Sequence, residues 1–196
     1  MLTEVKVSPH GAGAPPSPWV CRFLGLTAAG GSVLDLAAGC GRHAAHAAAA
    51  GYRVTAVDRD PAAAATLRAI AGVEVVQADL ELGPWPLPGR VFDAIVVTNY
   101  LWRPLFPLIA AALDGGAVLI YETFAAGNEL HGRPSNPAFL LRPGELLEIS
   151  REYGLAVVAY EYGLRPHPQP AVIQRLCARR GTQAPALLET GMARQG

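Results

Sequence analysis

Residues 33–42 read Val33-Leu34-Asp35-Leu36-Ala37-Ala38-Gly39-Cys40-Gly41-Arg42. An apolar run carrying one acid is followed by a turn of small residues and then by helix-forming sequence. Small residues let the backbone turn sharply and let a ligand approach the main chain closely. The helix beyond the turn starts with unpaired N–H groups. This succession predicts a strand, a ligand-accepting turn and a helix, the opening unit of a doubly wound α/β sheet.

Working outward, the same alternation continues. Ser17-Pro18 reads as an N-cap followed by Pro at the first helical position, opening a short helix to about Leu26. Ser32–Leu36 is the first strand, and Gly41 to Ala50 a helix closed by Gly51. Tyr52–Val57 is a second strand, and Asp60-Pro61 opens a helix to about Ala71. Val73–Gln77 and Phe92–Thr98 are the third and fourth strands, separated by a Pro- and Gly-bearing loop over 80–90. A helix is expected from Pro104 to Leu113, stopped by Asp114-Gly115-Gly116, and a fifth strand over Ala117–Glu122. Near-continuous apolar strands separated by helices predict a parallel sheet covered on both faces. Residues 123–142 carry little periodicity and read as a long loop or lid. Pro143–Tyr153 then reads as a helix, and Leu155–Gly163 and Ala171–Arg179 as an antiparallel pair at the sheet edge. The expected organisation is a flexible segment 1–15, one domain over 16–180 and a loose tail 181–196, with no internal repeat.

Composition narrows the function classes. Hydrophobic residues make up 51% of the 196 positions, which suits one domain with a proper core. Lys+Arg and Asp+Glu are each 16, so the net charge is zero and the electrostatic footprint of a phosphate-gripping protein is missing. The three cysteines, Cys21, Cys40 and Cys177, have no metal-ligand spacing and read as reduced thiols of a cytoplasmic protein. No apolar run approaches the roughly 20 residues that span a bilayer, so no membrane partner is expected. His43 and His46 sit three apart on a helix as a metal pair would, but with no third ligand nearby no metal is expected.

Three acids stand at informative places: Asp35 in the first strand, Asp58 at the end of the second, and Asp79 after the third, in Ala78-Asp79-Leu80. Together with Phe92-Asp93-Ala94-Ile95-Val96 as strand four, these segments resemble the motifs of class I S-adenosylmethionine (SAM)-dependent methyltransferases, in order and spacing over roughly residues 17–180. The resemblance implies the Rossmann-like class I methyltransferase fold, mostly parallel with an antiparallel edge strand, and SAM as cofactor with S-adenosylhomocysteine as product. It implies that Asp35, Ala37, Gly39 and Gly41 surround the methionine part of SAM and that Asp58 holds the ribose. Arg59 would flank the adenine, Asp79 and Leu80 meet its exocyclic amine, and Thr98 and Asn99 lie near the sulfonium. One departure is that Ala37 stands where the family has its first motif glycine.

The acceptor side is expected beyond the ends of strands four and five. The candidates are Tyr100, with Trp102 beside it, and Glu129, His131 and Arg133 in the polar stretch after strand five, since loops of that length usually carry function. That stretch resembles the acceptor-side loop of a bacterial small-molecule subgroup near the tellurite-resistance and thiopurine methyltransferases. Small-molecule methyl transfer by a monomer or homodimer is therefore the expected activity. The (D/N)PPY-type motif of amino-group methyltransferases acting on nucleic acid is absent after strand four, where Asn99-Tyr100-Leu101 stands. Two other readings stay open. One is a SAM-binding protein without catalysis. The other is an NAD(P)-binding oxidoreductase, because Gly39-x-Gly41-x-x-Ala44 also fits GxGxxA, although a pyrophosphate prefers a strand end without the Asp35 charge.

Overall fold

The computed structural model describes residues 14–181; most of the expected flexible start 1–15 and of the tail 181–196 lies outside the described residues. Helix α1 (Pro18–Leu24) is followed by β1 (Ser32–Leu36), α2 (Arg42–Ala49), β2 (Arg53–Asp58), α3 (Pro61–Arg68) and β3 (Val73–Gln77). Then come β4 (Phe92–Thr98), α4 (Phe106–Ala112), β5 (Leu113–Phe124), α5 (Glu145–Glu152), β6 (Leu155–Arg165) and β7 (Ala171–Arg180). The caps fall where the side chains direct them. Ser17 accepts from the Trp19 N–H, Asp60 accepts from the Ala62 N–H, and a proline occupies the first turn of both helices.

The strands form one sheet of order β3-β2-β1-β4-β5-β7-β6. β1 to β5 pair in parallel, and β7 runs antiparallel to both β5 and β6. The mostly parallel sheet with an antiparallel strand at its edge region is therefore as expected, with β6 lying outside the reversed strand. The parallel dinucleotide order 3-2-1-4-5-6 has no reversed strand inserted before its last place. One face is covered by α1, α2 and α3 through Trp19, Phe23, Ala44 and Leu67. The other is covered by α4 and α5 through Phe106, Ile109, Leu146 and Ile149. The central strands are buried on both sides, which is why β1, β2 and β4 read as near-continuous apolar runs.

Some boundaries differ from expectation. The helix expected over 104–113 is a 3₁₀ turn at Arg103–Leu105 followed by α4, and it ends at Ala112. Leu113 already belongs to β5, because its buried side chain takes the place opposite Phe92 of β4. Asp114-Gly115-Gly116 therefore lies within the strand and does not stop the helix, and the register shifts between Phe92 and Ala94 to accommodate it. α1 and α3 end two and three residues before the expected Leu26 and Ala71, at Leu24 and Arg68. The stretch after β5 is pinned more firmly than a lid. The N–H of Leu141 donates to the Phe124 carbonyl, that of Ala126 to the Leu141 carbonyl, and buried Asn128 joins the Pro134 carbonyl to the Val172 N–H. Among the described residues no helix is long and apolar enough to cross a membrane.

Ile95 lies at the centre of β4, fully buried between β1 and β5, whereas Leu82 in the loop before β4 is 90% exposed. Ile95→Ala is expected to lower stability by about 2–5 kcal/mol. Leu82→Ala should change it by less than about 0.5 kcal/mol. Urea unfolding of the two variants beside the parent chain checks both.

Candidate functional site

The first strand ends in a turn built from three consecutive constraints. Ala37, Gly39 and Gly41 all have positive φ, at 52°, 55° and 81°. A Cβ on Gly39 would meet nothing within 4 Å, so that side of the turn is open. A Cβ on Gly41 would lie 2.6 Å from Leu67 Cδ2 and 2.7 Å from Ile70 Cδ1. Gly41 is thus required where α2 starts against α3, and it lines neither of the cavities described below. The turn is tied to the neighbouring strand by the Gly39 N–H, which donates to Asp58 Oδ2 at 2.7 Å. Asp58 Oδ1 accepts from the Asp60 N–H at 2.9 Å.

Asp35 lies beneath this turn, 1% exposed, with Oδ2 lacking a hydrogen-bond partner among the described residues. Burial pushes its carboxyl up to about 7, against the pull of the Ala44 backbone N–H and of Arg42. A buried carboxyl oxygen without a partner calls for an explanation, and a ligand ammonium above the turn supplies one.

Two cavities of about 170 Å³ each meet at Ala37. The first is walled by Asp58, Arg59, Asp79, Leu80 and Tyr100. In it the Asp79 carboxylate accepts from the N–H groups of Glu81 and Leu82, which hold it below the usual range with help from the Arg59 guanidinium 3.5 Å away. The second is walled by Gly39, Arg42, His43, Thr98 and Asn99. Asn99 has a positive φ of 53°, donates its backbone N–H to the Glu122 carbonyl at 2.8 Å, and keeps Oδ1 buried without a partner among the described residues.

Of the residues singled out from sequence, the cavities bring together Ala37, Gly39, Asp58, Arg59, Asp79, Leu80, Thr98 and Asn99, with Asp35 directly below them. The acceptor candidates are distributed differently. Tyr100 lines the Asp58–Asp79 cavity, and burial followed by the Glu81 and Asp79 carboxylates keeps its phenol protonated. Trp102 packs against the core. Glu129, His131 and Arg133 are exposed, point away from both cavities, and the Glu129 carboxylate merely accepts from the Gly127 N–H. They are exposed because Asn128 turns inward and their neighbours outward. Arg103 fastens the same region, forking onto Glu145 at 2.7 and 3.0 Å and donating to the Ala138 and Leu140 carbonyls.

Sequence reasoning missed a polar cluster beside the second cavity. His43 is buried, with Nε2 accepting from the Ser17 N–H at 3.1 Å and Nδ1 3.3 Å from Thr98 Oγ1. Both ring nitrogens brace the α1–α2–β4 junction, so His43 is occupied in a structural role and not as half of a metal pair with His46. The Ser17 hydroxyl donates to Glu122 Oε2 at 3.1 Å, and Arg165 and Arg175 flank the same carboxylate at 3.8 and 3.1 Å. The available signals were Glu122 within the apolar run of β5, Arg165 at the end of β6 and Arg175 inside β7.

Residues 33–114 match the family model described as a methyltransferase domain. No match was found among curated protein sequences. Among solved structures the chain resembles TehB from Haemophilus influenzae, with a TM-score of 0.71 at 17% identity over 86% of this chain. The chain spans 63% of the length of that TehB. A TehB-like SAM-dependent methyltransferase from Corynebacterium glutamicum aligns with a TM-score of 0.64 at 20% identity, covering 87% of this chain and 91% of its own. The glycopeptide N-methyltransferase MtfA in complex with SAM gives 0.62 at 16% identity, covering 89% and 91%.

The pH dependence of stability tests the burial of Asp35. Its carboxyl ionises at about 7 when folded against 3.8 in the ordinary state, so the folded chain binds the extra proton between those values. Stability contributed by the neutral carboxyl is therefore present at low pH and lost as pH rises from about 4 through about 7. Thermal unfolding of the ligand-free protein should show its Tm falling relative to Asp35→Asn across that window and running parallel above it. Profiles parallel throughout would contradict the assignment. Sheet order and matched sequence agree: residues 33–114 match the methyltransferase-domain family model, and the chain has the fold of the class I SAM-dependent methyltransferases.

Proposed function

We propose that this chain, through one domain over residues 16–180, transfers a methyl group from SAM to a small-molecule acceptor. The observation that carries the reading is the pair of cavities meeting at Ala37 above a buried carboxyl oxygen with no partner. The residues present fit the cofactor at both ends. Asp35, Ala37 and Gly39 would hold the amino-acid end, with the Arg42 guanidinium available to its carboxylate. Asp58 keeps lone pairs beyond those used by Gly39 and Asp60 for the ribose hydroxyls. Arg59 would flank the adenine, Asp79 and Leu80 would meet its amine, and Thr98 and Asn99 would stand by the sulfur. Bound SAM supplies a methyl group on a positively charged sulfur, ready for in-line displacement.

The chain's own part is alignment and exclusion of water. Thr98 is held by His43 and Asn99 by the Glu122 carbonyl, so the floor beside the reacting end is braced from two strands and a helix. The phenol groups of Tyr100 and Tyr121 are both raised by burial above their ordinary value, so at neutral pH they stay protonated. Tyr121 gives its proton to the Tyr100 carbonyl at 2.9 Å, which fixes the start of the segment after β4. A zero net charge favours a small acceptor over a nucleic acid.

Calorimetric titration with S-adenosylhomocysteine is expected to show one site. Asp58→Ala should weaken it roughly tenfold or more, since a hydrogen-bonding carboxylate is lost from both turn and sugar site. Release of S-adenosylhomocysteine from SAM in the presence of an acceptor panel then establishes turnover. Unchanged affinity in Asp58→Ala, or no binding by the parent chain, overturns the proposal.

A further inference from the structure

The cluster around Glu122 carries more cationic charge than it uses. Arg22, Arg165 and Arg175 lie within 4.0 Å of the Glu122–Glu161 pair, three guanidinium groups around two carboxylates. Glu122 is the buried member, with its side chain 3% exposed, and it already accepts from Ser17. Glu161 is 54% exposed and divides itself between Arg22 and Arg175. Arg165 and Arg175 are only 19% and 20% exposed, and the Nε of each lacks a hydrogen-bonded acceptor among the described residues. Arg175 Nε does lie 3.1 Å from Glu122 Oε2, but the N–H is aimed off the line to that oxygen, so proximity supplies attraction without a hydrogen bond. Both Nε atoms are shielded from solvent, so contact from the open side falls to the remainder of each guanidinium.

The space beside them has the form of a binding groove. It has a volume of about 460 Å³ and is walled by Tyr162, Gly163, Leu164 and Ile173 together with both arginines and the Glu161 carboxylate, which Arg22 and Arg175 offset. Gly163 stands opposite Ile173 in the β6–β7 ladder, between Glu161 and Arg165 on the same face, and a Cβ there would meet nothing within 4 Å. A glycine inside a strand with open space above it marks a place where a ligand can come close to the backbone. The volume falls in the range of organic-ligand sites and greatly exceeds the needs of a bare inorganic oxyanion, and Leu164 and Ile173 add apolar wall. Glu122 links the groove to the cofactor side, since its carboxylate meets both arginines and its carbonyl holds Asn99.

We propose that this β6–β7 groove is the acceptor subsite and that Arg165 and Arg175 hold an organic carboxylate of the acceptor within it. The inference rests on the methyltransferase reading above and names the substrate class of that site. Three guanidinium groups stand against two glutamates, which leaves room for one further negative charge. Forked guanidinium donors suit the two oxygens of a carboxylate. Glu122 is a positioning residue that holds the two arginines beside the groove.

The test uses the full chain saturated with S-adenosylhomocysteine and titrated with benzoate, salicylate and succinate. Parallel titrations use benzamide, salicylamide, succinamide and inorganic sulfate. At least one carboxylate is expected to bind, with its amide weaker by roughly tenfold or more. Arg165→Gln and Arg175→Gln should each weaken that carboxylate roughly tenfold while leaving S-adenosylhomocysteine affinity within about twofold. Arg165→Lys and Arg175→Lys keep the charge and should retain part of the binding, which separates a lost anion contact from a damaged fold. Acids and amides that bind alike, variants that bind as the parent does, or no carboxylate binding at all would overturn the subsite. Sulfate binding as tightly as the best organic acid would overturn the organic assignment. Loss of S-adenosylhomocysteine binding in the parent chain is a different result, and it would overturn the methyltransferase reading itself.

Discussion

The hydrogen bond from the Gly39 N–H to Asp58 Oδ2 joins the ends of β1 and β2. It fixes a backbone that three positive-φ residues have turned away from the strand direction. Around it the requirements divide cleanly. Gly41 must be glycine because a Cβ would strike α3, while Gly39 faces open space that a ligand can use. Burial holds the Asp35 carboxyl below the turn well above its ordinary range, and a cation above it would draw it into the ionised form. Packing, turn and charge thus converge on one spot at the C-terminal ends of the strands, where doubly wound sheets bind their ligands.

The rest of the architecture serves to hold that spot in place. β4 brings Thr98 and Asn99 to it, and buried His43 of α2 spans from Ser17 to Thr98. β5 adds Glu122, whose carbonyl anchors Asn99 and whose carboxylate gathers Ser17 and two arginines. On the opposite face Arg103 and Glu145 lock the segment after β4 to α5. Burial works to raise the Glu145 carboxyl, yet the paired Arg103 guanidinium and the Arg142 N–H outweigh it and leave it below its ordinary value. The long stretch after β5 is likewise tied at its two ends to Phe124 and Leu141 and, through Asn128, to β7.

The cofactor side was legible because its information is local. A strand, a small-residue turn and a helix within ten residues state their own geometry, and Asp58 and Asp79 fall at the ends of two strands whose apolar pattern is plain. The strands over 32–36, 73–77 and 92–98 could be read to the residue for the same reason. The cluster around Glu122 was not legible, since it is assembled across the chain. Glu122, Arg165 and Arg175 meet Ser17 only because β7 inserts against β5 and α1 lies over them. Polarity alone pointed to Glu129, His131 and Arg133, but the inward turn of Asn128 sends those side chains to the surface. Leu113 misled in a similar way: its pairing with Phe92 overrode the Asp-Gly-Gly stop signal that followed.

The central claim is that the β1 turn and the Asp58 strand end receive an adenosyl amino acid. Backbone amide NMR of the isotopically labelled chain tests it most directly, with parallel titrations of S-adenosylhomocysteine and NAD. The account predicts that S-adenosylhomocysteine shifts the amides of Gly39, Asp58, Leu80 and Asn99 together, in one saturable process, and that NAD leaves them in place. Shifts confined to other parts of the sheet, or a saturable response of those four amides to NAD alone, would contradict it.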